Sequence, residues 1–311
     1  MTQELCWIWR GYCISYTRTA CSSGSPSRRA VLCVHGFGAS RLHWRHTLAA
    51  LAEQADVFAI DLLGFGNSSK PMSCLADEGL VPGGVRYGFD LWGEQIQDFC
   101  REVIGMQPHQ ELQLMGNSIG GVVALNATRL LEQGGTAPRQ VILIDCAQRE
   151  LDLKRLAEQP WPARIGRPLL MAVVRQRWLI QALFSLLAQP AFVRSVLRQA
   201  YPTGANVDNE LVEILVAPSR DGGAPESFRG FVNLFNDWLA PELLNLIHTP
   251  VRMLWGEADP WEPVAEARRW QKRFGCIAEL KVLPRLGHCP HDEAPETVNP
   301  ILQQWLHAGW H

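Results

Sequence analysis

Ser118 lies in Gly116-Asn117-Ser118-Ile119-Gly120, after the apolar run Leu112–Met115 and before the small-residue run Gly121–Ala127. A buried strand, a tight turn and a small-residue helix together read as a nucleophile elbow, which exposes a serine oxygen at a strand end. The two glycines are needed because a Cβ in so tight a turn would strike neighbouring backbone. The pentapeptide alone is a common chance match, so its surroundings carry the assignment. A serine there attacks a carbonyl only with a base, a group to orient that base, and donors for the oxyanion. His288, in Leu286-Gly287-His288-Cys289-Pro290, is the expected base, on a glycine-flanked loop that can carry its ring to the serine. Asp259, closing the run Met253–Asp259, is the expected carboxylate, in the chain order Ser, Asp, His. Glu257, Glu262 and Asp145 stand as alternatives to it. His35-Gly36-Phe37-Gly38 follows another apolar run and is expected to aim the Phe37 N–H at the oxyanion, with the Ile119 N–H as second donor.

Other motifs are set aside. His291 follows His288 by three residues, but no third ligand has matching spacing, so no metal is expected and His291 is assigned to the surface. The glycine-bearing run Asp61–Ser68 lacks both Gly-x-Gly-x-x-Gly and a Lys-Ser/Thr pair, which makes it a structural loop beside the site rather than a phosphate cradle. No cofactor is implied. Cys146 and Cys289 read as small buried residues near the site, with no thiolate-activating pattern.

Six apolar runs position these residues: Ala30–Val34, Asp56–Ile60, Leu112–Met115, Val141–Ile144, Val251–Trp255 and Leu280–Leu283. Continuous apolar strands suit a mainly parallel sheet covered on both faces. Helical patterns at Trp44–Gln54, Phe89–Ile104, Ser118–Glu132 and Pro263–Phe274 alternate with them, an α/β arrangement. Cys6–Thr17 reads as an antiparallel edge hairpin. Between about Gln148 and Leu246 strands cease and proline-punctuated helical patterns take over. The expected organisation is therefore a core of residues 1–147 and 247–311 with a helical cap, 148–246, inserted between two core strands. The cap carries Leu169, Leu170, Met171, Trp178, Leu179, Leu183, Phe184, Leu187, Phe192, Phe231, Phe235 and Trp238. Most of these are expected to pack on the core, and some to line an apolar tunnel. Phe37, Asn117, Trp178, Phe184 and Trp261 are the expected substrate contacts.

The net charge of −2 gives no electrostatic case for nucleic acid as a partner. Nine scattered cysteines without a Cys-x-x-Cys pair argue against a disulfide framework and for a reducing compartment. No signal peptide and no membrane-length apolar stretch is visible. The expectation is a cytoplasmic protein, with peripheral membrane contact and oligomeric state left open.

These blocks in this order resemble the α/β-hydrolase superfamily from about Trp7 to Leu306, and specifically its capped branch. More narrowly, Trp9–Tyr12, Trp92–Gln95, Gly116–Gly121, Trp255–Pro263 and Gly287–Glu293 resemble the cyanobacterial and plastid hydrolases grouped with pheophytinase and chlorophyll dephytylase. The resemblance implies an α/β-hydrolase fold with an inserted cap, and ester hydrolysis by Ser118, His288 and Asp259. It also suggests an apolar ester as substrate, the phytol ester of chlorophyll or pheophytin, at a photosynthetic membrane. Haloalkane dehalogenases and epoxide hydrolases are similar in the cap but carry aspartate at the elbow; Ser118 argues against both chemistries. Haloperoxidase-like relatives keep the serine, which leaves perhydrolysis open as a side reaction. The alternatives are an esterase or lipase acting on lipid or small aryl esters, and a slow-turnover receptor on the same fold.

Overall fold

The structure, a computed structural model, describes residues 2–22, 28–105 and 110–310. Eight strands form one sheet: β1 (Thr2–Trp9), β2 (Tyr12–Thr19), β3 (Arg29–Val34), β4 (Asp56–Ile60), β5 (Glu111–Asn117), β6 (Gln140–Ile144), β7 (Val251–Gly256) and β8 (Ile277–Leu283). Their order is β1-β2-β4-β3-β5-β6-β7-β8. All six expected strands are present, and β3 to β8 run parallel. The edge hairpin is longer than expected and turns through Arg10 and Gly11, both at positive φ, as a two-residue hairpin demands.

Side chains alternate across the sheet into two cores. Ala30, Leu32 and Val34 of β3, with Leu112 and Leu114 of β5, pack beneath helices Phe89–Phe99, Ile119–Gln133 and Val264–Arg273. Val31, Cys33, Met115, Ile142 and Leu254 face the other way, against Leu48–Leu51 and Pro295–Gly309. Strands buried on both faces read as unbroken apolar runs, which is why they were legible in the sequence.

Two local expectations need correction. The segment Trp44–Gln54 is not one helix but a 3-10 turn, Arg41–Trp44, followed by a single α turn, Leu48–Leu51. The buried Asp61 carboxylate binds both the Arg41 N–H, at 2.6 Å, and its guanidinium, at 2.5 Å, tethering this segment to the loop after β4. Cys6 and Cys13 are joined across the edge hairpin, a pairing that the scattered cysteines did not suggest.

Between β6 and β7 the chain is helical, with principal helices Trp161–Val174, Arg177–Leu187, Pro190–Ala200, Asn209–Val216, Ala224–Val232 and Ala240–Leu244. The last of these joins the main core through Ala240, Leu243 and Leu244. The others rest over the strand ends. A clamp from the excursion after β4 holds them: the Arg229 guanidinium donates to Glu78 Oε1 at 2.5 Å, to Ser73 O at 3.2 Å and to Arg175 O at 2.9 Å. Arg229 is buried and Glu78 is 30% exposed. Arg229→Ala should therefore cost about 2–4 kcal/mol, somewhat less than a wholly buried pair, read as a lower denaturant midpoint for the cap.

Candidate active site

The sheet brings its chemistry to one edge. Ser118 follows β5, Asp145 follows β6, Asp259 lies just past β7, His288 follows β8 and His35 follows β3, all at the carboxyl ends of parallel strands. Ligands of open α/β sheets bind outside those ends.

Ser118 occupies φ 54, ψ −124, a conformation that costs an L-residue energy and is kept only where packing enforces it. Packing does so here. A Cβ on Gly116 would lie 2.2 Å from the Gly120 carbonyl oxygen, and one on Gly120 would lie 2.3 Å from the Val34 oxygen. The Ser118 N–H donates to Ile144 O at 3.0 Å, pinning the turn to β6. Ile119 then opens its helix, so its N–H has no partner within that helix.

The loop after β3 is held by His35. Its Nε2 accepts the Leu62 N–H at 3.1 Å, which places the proton on Nδ1, and Nδ1 donates to Gly36 O at 2.7 Å. Burial lowers the His35 pKa and keeps the ring neutral, as this arrangement requires. The ring thus ties the Gly36–Phe37 backbone to the Asp61–Ser68 loop, a structural role that the sequence left unassigned.

His288 Nδ1 and Asp259 Oδ2 are 2.7 Å apart, both side chains being buried. Three carboxyls gather here, and their ionisation differs. Burial pushes Asp259 up, but the His288 hydrogen bond and charge, aided by the Trp261 and Glu262 N–H groups, hold it below its ordinary value. Asp145 is wholly buried, at φ 43, with Oδ1 accepting the Gly256 N–H at 2.9 Å. Burial and the Asp259 charge raise it well above the carboxylate range. Its Oδ2 is buried with no hydrogen-bond partner among the described residues. Burial also raises Glu262 to about 8, against the pull of the Gln148 N–H and with the Asp259 charge adding to it. Of the three, Asp259 alone is held below its ordinary value and faces the imidazole. The sequence could rank these carboxylates only by chain order; environment separates them.

The expected substrate contacts divide. Trp261 packs edge-on against the His288 ring at 4.9 Å and is 40% exposed. Phe37 stacks on Phe231 at 4.0 Å, and Phe184 meets Phe228 at 5.5 Å, with Phe37 and Phe228 6.1 Å apart. These rings form an apolar run from the His35–Gly38 loop into the helical insertion. Asn117 is buried instead, its amide donating to Ile144 O at 3.2 Å and His288 O at 3.1 Å, so it ties the elbow to the histidine loop. Trp178 turns to solvent.

His291 also departs from expectation. Far from the surface, it is fully buried beside Trp44 and His43, with ring centroids 4.5 and 4.9 Å away. Its neighbours brace the His288 loop. Glu293 accepts the Gly287 N–H at 2.8 Å and the Thr203 N–H at 2.9 Å, while Asp292 accepts from Tyr201 at 2.9 Å and Arg45 at 3.0 Å. The His288 N–H reaches Ala200 O, at the end of a cap helix, at 2.9 Å. An acidic pair so close to His288 was the available signal. Cys146 and Cys289 are buried, and burial raises both thiols well above their ordinary value, consistent with small packing residues.

A serine on a strained elbow, a buried His–Asp pair and two loop backbones at one sheet edge define a hydrolase of this architecture. Residues 31–301 match the alpha/beta hydrolase family, and the chain belongs to it. It is 26% identical to the chloroplastic pheophytinase of Arabidopsis thaliana over 94% of this chain and 64% of that protein, so it spans just under two thirds of that relative. It is 23% identical to the uncharacterised hydrolase YugF of Bacillus subtilis, across 91% of each. Among solved structures, the CarC serine hydrolase involved in carbazole degradation matches with a TM-score of 0.70 at 19% identity, covering 99% of this chain and 100% of that one. Epoxide hydrolase CorEH matches at 0.73 and 17%, covering 99% of each. At such identities these two speak for the fold.

The neutral Glu262 has a consequence for stability. Its folded pKa of about 8 lies above the unfolded carboxyl value of about 4.3, so its contribution is complete below the lower value and lost as pH rises through the higher. Relative to Glu262→Gln, the wild-type melting temperature should therefore fall steadily between pH 5 and about 8, measured by calorimetry of both proteins. Parallel pH profiles would refute a neutral Glu262.

Proposed function

We propose that this protein is a serine hydrolase of carboxylic esters, acting through Ser118, His288 and Asp259 and an acyl-enzyme. The observation that carries this reading is the buried 2.7 Å His288–Asp259 pair on the same strand edge as a serine held at positive φ. An elbow aspartate would serve alkyl-enzyme chemistry; a serine serves acyl transfer. Ser118 Oγ attacks the ester carbonyl as His288 accepts its proton, and Asp259 holds the imidazole tautomer and stabilises the imidazolium. The Phe37 and Ile119 N–H groups receive the developing oxyanion. His288 then protonates the departing alcohol and activates the water that releases the acid.

The finer reading is a long isoprenoid ester, the phytol ester of chlorophyll or pheophytin. Its support is the ring run Phe231–Phe37–Phe228–Phe184, which suits an apolar chain, together with the similarity to pheophytinase. Incubation with pheophytin a and chlorophyll a, followed by chromatography of the products, tests it. Wild type should release phytol and the dephytylated pigment, and Ser118→Ala should release neither. Hydrolysis of soluble esters without pigment turnover would keep the chemistry and overturn the pigment.

The carboxylate assignment adds a kinetic expectation. Asp259→Asn should lower kcat on a soluble ester by roughly 10⁴-fold, because the amide favours the wrong imidazole tautomer. Asp145→Asn changes a carboxyl that makes no bond to His288 and that burial holds well above its ordinary value, and it should retain most activity. Comparable losses in the two variants would show that the negative charge is shared.

A further inference from the structure

The cap carries a surface that esterase chemistry does not use. Helices Trp161–Val174 and Arg177–Leu187 meet at 95° and together are apolar enough for a bilayer. They are 14 and 11 residues long, too short to cross singly, and the bend rules out one continuous span. Their apolar side chains face outward: Trp161, Ile165, Leu169, Trp178 and Leu186 are 68–73% exposed. Ile165 and Leu169 continue the Trp161 stripe at four-residue steps, as do Trp178 and Leu186 at an eight-residue step on the second helix. Isolated exposed apolar residues are ordinary, but five large ones at helical spacing on two consecutive helices mark a contact surface.

The charge around this stripe identifies what would cover it. From Gln159 to Val207 the chain contains six arginines and no Asp, Glu or Lys, although the whole protein has a net charge of −2. Arg175 and Arg177 pair with Asp77 and Glu226 of neighbouring segments, whereas Arg164 and Arg198 lie exposed. Tryptophan and arginine beside an aliphatic stripe suit the headgroup boundary of an anionic bilayer. A symmetric contact with a second copy would instead bring like-charged segments together. The second of these helices also reaches toward the site from its inner side, where Phe184 begins the ring run that ends at Phe37.

We propose that the bent pair Trp161–Leu187 docks the protein on an anionic lipid surface and lies within its interface. Docking rests on the surface alone; that it delivers apolar ester to Ser118 rests on the functional reading above. The test is co-sedimentation of the full chain with phosphatidylcholine vesicles, with and without phosphatidylglycerol. Wild type should bind the anionic vesicles at least about tenfold more tightly than the neutral ones, and added salt should weaken that binding. Ile165→Glu with Leu169→Glu should weaken it by at least about tenfold, the scale expected for exposing buried apolar side chains. Hydrolysis of a short soluble ester by this variant should be unchanged, which also shows that it folds. Arg164→Glu with Arg198→Glu should abolish the preference for phosphatidylglycerol. Ser118→Ala should bind like wild type, which separates docking from chemistry. Wild type remaining in the supernatant with both vesicles would overturn the proposal. So would a dimer in light scattering that the Ile165/Leu169 variant converts to monomer, because the stripe would then be a protein interface.

Discussion

The close approach of three backbones at the elbow is the constraint on which the site depends. Gly120 lies so near the end of β3 that a Cβ there would reach both the Val34 and the His35 carbonyl oxygens, at 2.3 and 2.5 Å. That contact fixes the first turn of helix Ile119–Gln133 against the loop that carries Phe37. The strain at Ser118 and the position of the His35–Gly38 loop are thus one feature, because relaxing the serine backbone would push the helix into β3. Gly36 completes the fit, with room for a Cβ only at 3.1 Å from the Ser118 Cβ.

The histidine side of the site is built differently. His288 is on a loop, and its position comes from bonds that converge on that loop from several elements. Asn117 reaches its carbonyl from the elbow, Glu293 holds the Gly287 N–H from the following turn, and Ala200 takes its own N–H from the cap. Trp261 covers one edge of the ring. The cap is therefore a structural partner of the base as well as a cover. The three carboxyls also differ. Burial and the Asp259 charge raise Asp145 and Glu262, whereas the His288 hydrogen bond holds Asp259 below its ordinary value.

Much of this was legible in the sequence because its signals are short-range. Strands buried on both faces appear as apolar runs, and the elbow glycines record a steric need between residues four apart. The six core strands, the helix after Ser118 and the strand-free insertion follow from such patterns. What the sequence hid was long-range. Nothing local shows that His291 is enclosed by Trp44 and His43, or that Asn117 reaches across to the His288 backbone. Asp61 ties down Arg41, at the start of the 3-10 turn, and no helical periodicity registers a carboxylate that arrives from another loop. The ionisation of Asp145 and Asp259 likewise follows from their shared burial.

The cap shows most sharply where pattern reading meets its limit. Apolar residues at helical spacing are normally the face turned to the core, so Leu169, Trp178 and Phe235 look alike in sequence. Phe235 packs with Val174 and Ile180 in a small cluster of the cap's own, whereas Leu169 and Trp178 point outward. Pairing helix Arg177–Leu187 with Ala224–Val232 through Phe184 and Phe228 uses the inner side of the cap. Helix Trp161–Val174 buries Arg167, over the Phe235 ring, and Val174 with Met171 beside it, whereas Trp161, Ile165 and Leu169 lie outside that cluster. A helix keeps such a surface at a cost in solubility, so its persistence beside an acid-free segment argues that contact, rather than packing, sets its composition. The same two helices then carry both the outer stripe and the start of the aromatic run, so the cap's geometry links what it rests on to what it admits.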